Sequence, residues 1–362
     1  MVDPRVSEYA KLLVGRCIDP QPGWQVMVLS TPWARPVVEE VEKELARRGA
    51  YALLRLDFSL ERFPGIPYAW ASEAPPDLLG TLAPVELHAV ESIDARITIE
   101  APENTRDGSD LGPERHTLVR KAVKPYYNRS MSDEIPWVSC QFPTNGIAQD
   151  AGMTLAELED FMYGAILRDW DAERGEMERI AERLDRASEV RIVAEGTDIR
   201  LGLGGRSAMI DDAMVNMPGG EIFYAPVEDA TEGVIHYSEF PATTDGFEVT
   251  GVRLRFEGGR VVDASADVNE EFLLESLDTD EGARRLGEFG IGCNQGIQRF
   301  MKNVLFDEKM AGTVHLAIGQ SYTKAGGKNT SDIHWDMVKD LRSGGRLEAD
   351  GEVVQERGRW LF

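Results

Sequence analysis

EVRIVAEGTDIRLGLGG, Glu189 to Gly205, alternates apolar and polar residues at a period of two. Val190 and Ile192, then Ile199, Leu201 and Leu203, fall on one side of an extended chain. Successive side chains of a strand point to opposite faces, so this alternation predicts half-buried strands. The same texture returns in EIFYAPVED from Glu221, GVIHYSEFPA from Gly233 and FEVTGVRLRFEGGRVVDASAD from Phe247. Glycine pairs at 204–205, 219–220 and 258–259 punctuate the runs as hairpin signals do. The second half therefore reads as a largely antiparallel β domain. EEFLLESLDTDEGARRL, Glu270 to Leu286, reads as a helical insertion in it.

Upstream the texture differs. WQVMVLS (Trp24–Ser30) and YALLRLD (Tyr51–Asp57) are strand-like and flank RPVVEEVEKELARRG. In that middle piece Pro36 suits a first helical turn, Val37, Val41 and Leu45 share a face, and Gly49 suits the C-terminal cap. Strand, helix, strand implies a parallel α/β unit, and ARITIEAP (Ala95–Pro102) predicts another strand. Thr154 and Glu157 form a capping-box pattern at the head of TLAELEDFMYGAILRDW. The charged continuation DAERGEMERIAERLDRA extends this helical region to about Ala187. The expected organisation is an α/β domain over residues 1–187 and an antiparallel β (α+β) domain over 188–362.

Composition excludes several functions. The formal net charge is −24, whereas general nucleic-acid binding needs basic surface. RKAVKPYYNR (Arg120–Arg129) is the one locally basic stretch, and a solvated or internally paired face explains it. No apolar run approaches the roughly 18–20 residues of a membrane span. The first residues lack a secretory h-region, so a cytoplasmic protein is expected. Cys17, Cys140 and Cys293 form no CxxC pair, which argues against a thiolate zinc site or a disulfide framework. The first strand carries no GxGxxG, so no dinucleotide site is indicated.

Chemistry concentrates near the C-terminus. The chain has five histidines, and His315 and His334 lie in HLAIGQSYTKAGGKNTSDIHWD (His315–Asp336). His315 sits in the apolar run GTVHLAIG, where a lone histidine is ordinarily a satisfied core residue. His334 and Asp336 are two apart, so on a strand they face one side while Trp335 packs on the other. Glu221 follows the turn-like NMPGG, and Glu288 sits between glycines in RLGEFGIGCN. Asp307 and Glu308 lie in VLFDEKM just before His315. Two imidazoles and several carboxylates make a mixed nitrogen–oxygen ligand set suited to zinc, cobalt or manganese, and equally to iron.

NMPGGEIFYAP, GEFGIGCN, LFDE, GTVHLAIGQSY and GGKNTSDIHWD together resemble the motifs of the thermophilic aminopeptidases, the aminopeptidase T and S type. The order and approximate spacing match through the whole second half. The resemblance implies a homodimeric metallo-aminopeptidase with a C-terminal catalytic domain that holds two divalent ions. Its substrates would be peptides with a free N-terminus, whose first residue leaves through attack by a metal-activated water. Carried over residue by residue, Glu221, Glu288, Glu308, His315, His334 and Asp336 would be metal ligands. Glu288 is the candidate bridge between the ions, and Glu308 is alternatively a proton carrier. Tyr322 matches the catalytic tyrosine. Two other readings stay open at this stage. One is a mononuclear Fe(II) ring-cleaving dioxygenase of the dihydroxypyridine type, built on His315, His334 and Asp336. The other is a metal-stabilised binding protein without catalysis.

Overall fold

The structure is a computed structural model, and it describes residues 3–58, 65–108, 110–131, 134–244 and 247–362. The chain forms two compact units, residues 1–168 with 213–219 and residues 169–212 with 220–362.

The first unit is α/β. Its five-stranded sheet runs in the order Tyr51–Leu56, Gln25–Ser30, Ala95–Glu100, Trp137–Gln141 and Asn216–Met217, and every pairing is parallel. Val26, Met27, Val28 and Leu29 are all fully buried, as consecutive residues of a central parallel strand should be. The intervening helix spans Arg35–Arg47 and buries Val37, Val38, Val41 and Leu45. Gly49 follows it at φ +75, a left-handed conformation in which glycine has no Cβ to clash. The basic stretch is partly paired within the unit. Arg129 donates to the carbonyls of Val90 and Ile93 at 2.6 and 3.1 Å.

Two local features differ from the sequence reading. Thr154 and Glu157 do form a capping box, but their helix ends at Ile166. A separate helix, Trp170–Leu184, starts where the Asp169 side chain accepts from the Ala172 amide. Met177, Ile180, Ala181 and Leu184 of that helix pack into the core of the second unit. That packing is why the compact second unit begins at Asp169, whereas texture alone suggests a boundary near 187.

The second unit carries an eight-stranded and a five-stranded sheet, both antiparallel throughout. Glu189–Ala194 and Thr197–Gly202 pair in the eight-stranded sheet. The alternation that predicted them is also their burial. Val190, Ile192, Ile199, Leu201 and Leu203 enter the core. The predicted insertion is helical over Glu270–Leu277, with a short turn of helix at Gly282–Arg284.

The five-stranded sheet runs in the order His334–Asp340, Thr313–Gly319, Leu286–Gly292, Glu221–Tyr224 and Met209–Asp211. One of its faces is apolar. Ile222, Tyr224, Phe289, Ile291, Leu316, Ile318, Trp335 and Met337 all join the core of the unit. Alternation then dictates that Glu221, Glu288, His315, His334 and Asp336 share the opposite face.

A candidate metal centre on one sheet face

Cross-strand register brings the predicted residues together. Asp336 pairs with Ala317, which pairs with Glu288. His315 pairs with Gly290, and Glu221 pairs with Gly292 on one side and Asp211 on the other. On one side of each of these side chains the opposing residue is glycine or alanine, which leaves room for it. The register shifts by one residue between Leu286 and Glu288. Such a bulge re-aims the following side chain, here Glu288.

The functional atoms converge in two groups. Glu221, Glu308 and His315 form one, and Glu288, His334 and Asp336 form the other, with potential ligand atoms within 4.8 Å of one another in each. His315 is fully buried, and its Nε2 lies 2.9 Å from Glu221 Oε1 and 3.1 Å from Glu288 Oε1. His334 Nε2 lies 3.3 Å from Asp336 Oδ2 and 3.7 Å from Glu288 Oε2. Glu288 thus presents one oxygen to each imidazole. The Nδ1 of His334 is 2.8 Å from the Gln320 carbonyl. A carbonyl only accepts, so Nδ1 carries the proton and Nε2 is free to ligate. Asp336 Oδ1 is buried with no hydrogen-bond partner. An orphaned carboxylate oxygen aimed among ligand atoms fits a cation, because burying it bare is costly.

Electrostatics agree with this fit. Burial, reinforced by the charges of Glu221 and Asp336, pushes the Glu288 carboxyl up to about 7 against its hydrogen bond to His315. Burial likewise lifts Glu308 to about 8. Burial opposes the charged form of His334, but Asp336 and Glu288 outweigh it and raise the imidazole to about 10. Burial opposes ionisation of Glu221 too, yet Lys309 and His315 hold it well below the ordinary carboxylate range. A set in which Glu288 and Glu308 resist ionisation while the imidazoles bind protons is short of positive charge.

Tyr322 stands at the rim, 38% exposed, on the turn after the His315 strand. Its ring centroid is 5.6 Å from that of His334 and 5.2 Å from that of Phe223. Burial and the charges of Glu288, Asp336, Glu308 and Glu221 raise its phenol well above the usual range, so it stays protonated. Sequence reasoning missed Lys309 and Asp211. Lys309 Nζ donates to Glu308 Oε1 and, at 3.2 Å, to Glu221 Oε2, and lies 3.4 Å from Asp211 Oδ2. The one signal was the position of Lys309 directly after the LFDE motif. None of Cys17, Cys140 and Cys293 belongs to either group.

A sequence profile of the thermophilic metalloprotease family (M29) matches residues 2–360. The chain belongs to this family. It is therefore a metallopeptidase, a hydrolase of peptide bonds, and the family likeness of the C-terminal motifs extends over the N-terminal unit as well. Aminopeptidase 2 of Geobacillus stearothermophilus is 26% identical over 415 residues, covering 99% of this chain and 98% of the relative. Aminopeptidase T of Thermus aquaticus is 34% identical over 198 residues, which cover 46% of this chain and 47% of the relative. Among solved structures, wild-type AmpT from Thermus thermophilus has a TM-score of 0.83 at 24% identity, covering 99% of both chains. The 2,5-dihydroxypyridine dioxygenase of Pseudomonas putida KT2440 shares the fold more distantly, with a TM-score of 0.58 at 15% identity over 98% of this chain and 96% of that one. Among the described residues no helix is long and apolar enough to cross a membrane.

Proposed function

We propose that this M29 metallopeptidase is an aminopeptidase that removes single residues from the free amino end of peptides with two divalent ions. Glu221, Glu308 and His315 would hold one ion, Glu288, His334 and Asp336 the other, and Glu288 would face both. The observation that carries the reading is the pair of three-residue groups, five of whose members stand on one sheet face while the sixth, Glu308, closes the short helix Val304–Asp307. Zinc, cobalt and manganese all suit this donor set. When bound, such ions polarise the scissile carbonyl and lower the pKa of water.

The chain's own residues supply the remaining chemistry. Tyr322, protonated at neutral pH, donates a hydrogen bond to the carbonyl oxygen as negative charge gathers there. Glu308 is the most open of the four carboxylates, its side chain 16% exposed against 10%, 6% and 5% for Asp336, Glu221 and Glu288. In its alternative role, off the ion, that opening would suit Glu308 to take a proton from the attacking water and pass it to the leaving amine. The acid-rich face would also hold the ammonium of the substrate's first residue. A dioxygenase centre needs His315, His334 and Asp336 at one ion, whereas the two imidazoles belong to separate groups. It would also leave Glu221 and Glu308 without a task.

The test is a pentapeptide and its N-acetylated twin, digested side by side and followed by mass. The free peptide should shorten one residue at a time, and the blocked one should stay intact. Acetylation removes the charge that the acidic face recognises and leaves its partner unsatisfied. Internal cleavage of the acetylated peptide at a similar rate would make the enzyme an endopeptidase.

A further inference from the structure

Lys309 is fully buried, in a place where a cation is unexpected. Metal ligands surround it, and a divalent ion would repel it. The atoms of the carboxylates resolve the contradiction. Glu221 turns Oε2 to Lys309 Nζ at 3.2 Å and Oε1 to His315 Nε2 at 2.9 Å. Glu308 turns Oε1 to Lys309 and so keeps Oε2 for another partner. Asp211, cross-strand partner of Glu221, lies 3.4 Å from the same ammonium. Lys309 therefore holds one oxygen of each of these two carboxylates; the second oxygen of Glu221 faces His315, and that of Glu308 lies outside the contact with Lys309. Its backbone is anchored as well, since its amide donates to Phe306 and its carbonyl accepts from Asn294.

We propose that Lys309 is a positioning residue of the metal centre. It fixes Glu221 and Glu308 so that each offers one oxygen to the first ion, and it keeps this carboxylate pair compact while no ion is bound. The proposal rests on the two-ion reading above for the word "ion", but its structural half concerns the metal-free chain alone. The chemistry is that of outer-sphere partners that orient ligands, performed here by an ammonium instead of the more usual carboxylate or carbonyl. A lysine suits the task because its compact charge offers three donors, and three carboxylates converge on it.

The experiment is a double-mutant cycle on the full chain, read without any activity assay. Wild type, Lys309→Met, Glu308→Gln and the double variant are stripped with chelator and melted, then melted again after loading with zinc or manganese. Methionine keeps the length of the buried stem and removes the charge. Metal-free Lys309→Met should melt on the order of 10 °C below wild type, because buried carboxylates lose their counter-charge. Metal should recover more than half of that loss, since an ion takes over the neutralisation. Glu308→Gln in the Lys309→Met background should raise the metal-free melting point rather than lower it further. A lysine that merely fills space would give additive losses and no rescue, and that result overturns the proposal. Recovery of Lys309→Met only from metal-supplemented cultures supports it. Failure to fold with metal present, in the single and the double variant alike, overturns it. Calorimetry of the wild type separates the two claims. Absence of divalent-ion binding there removes the two-ion reading, while the metal-free cycle still decides whether Lys309 holds the carboxylates.

Discussion

Adding a single methyl group at Gly290 should disable the centre. Gly290 lies directly across from His315 on the neighbouring strand. A Cβ built at Gly290 would stand 2.0 Å from both Cε1 and Nε2 of His315, against the 3.4 Å at which ordinary contact begins. The imidazole or the strand must therefore move by about 1.4 Å. The ring has little room to do so, because His315 is fully buried and its Nε2 is held between Glu221 and Glu288 at 2.9 and 3.1 Å. A shift of that size breaks both contacts. Overpacking a filled site costs about 1–3 kcal/mol, which a chain of this size can survive. A misplacement of about 1 Å at a catalytic centre costs on the order of a hundredfold in rate. Gly290→Ala should therefore fold, lose the ion held through His315, and fall at least about a hundredfold in hydrolysis of an amino-acid p-nitroanilide. Elemental analysis after gel filtration measures the ion, and circular dichroism checks the fold. A variant with two ions per chain and unaltered turnover would refute both the register argument and the ligand role of His315.

Other outcomes follow from the same geometry. Elemental analysis should find two divalent ions per chain at full activity, with chelation abolishing hydrolysis and zinc, cobalt or manganese restoring it. Full activity with one ion would contradict the pairing of the groups. Tyr322→Phe should lower turnover by about a hundredfold with metal content unchanged, since it removes one donor to the developing oxyanion. A fully active variant would reduce Tyr322 to a packing role. Metal loading should release protons, because Glu288 and Glu308 stand at about 7 and about 8 and His334 at about 10 before the ions arrive, and ligands bind without protons. Raised pKa values mean that the proton-bound forms dominate below them, so affinity should climb from about pH 6 through about pH 10, and a flat profile in calorimetry would count against this set. The family resemblance, and not the geometry, implies a dimer, which sedimentation at assay concentration should show; an active monomer would remove that expectation.

Much of this centre was legible in the chain because a strand converts spacing into direction. His334 and Asp336, two apart with an apolar residue between them, could face one way only if Trp335 faced the core, and Trp335 is indeed buried there. Glu221 and Glu288 were singled out differently, by the turn-like NMPGG before one and the glycines around the other, and their proposed roles came from the family resemblance. What stayed hidden depends on pairing between strands, which no single segment encodes. Gly290 looks like any glycine until register sets it against His315, and the bulge that aims Glu288 exists only between two strands. Lys309 was hidden for a different reason. A lysine beside two acids reads as a solvated charge run, and only burial turns it into a cation enclosed by carboxylates. The break between the helices ending at Ile166 and starting at Trp170 was hidden because both segments keep helical spacing, so that only the cap at Asp169 separates them. The return of residues 213–219 to the first unit was hidden as well, because a two-residue strand such as Asn216–Met217 carries no periodicity to read. The motifs and the family resemblance thus named the side chains proposed to touch an ion. What holds those side chains in place became visible only with the sheet assembled: Gly290→Ala should cost the ion held through His315 and Lys309→Met should loosen the metal-free carboxylates, although each leaves every proposed ligand in the chain.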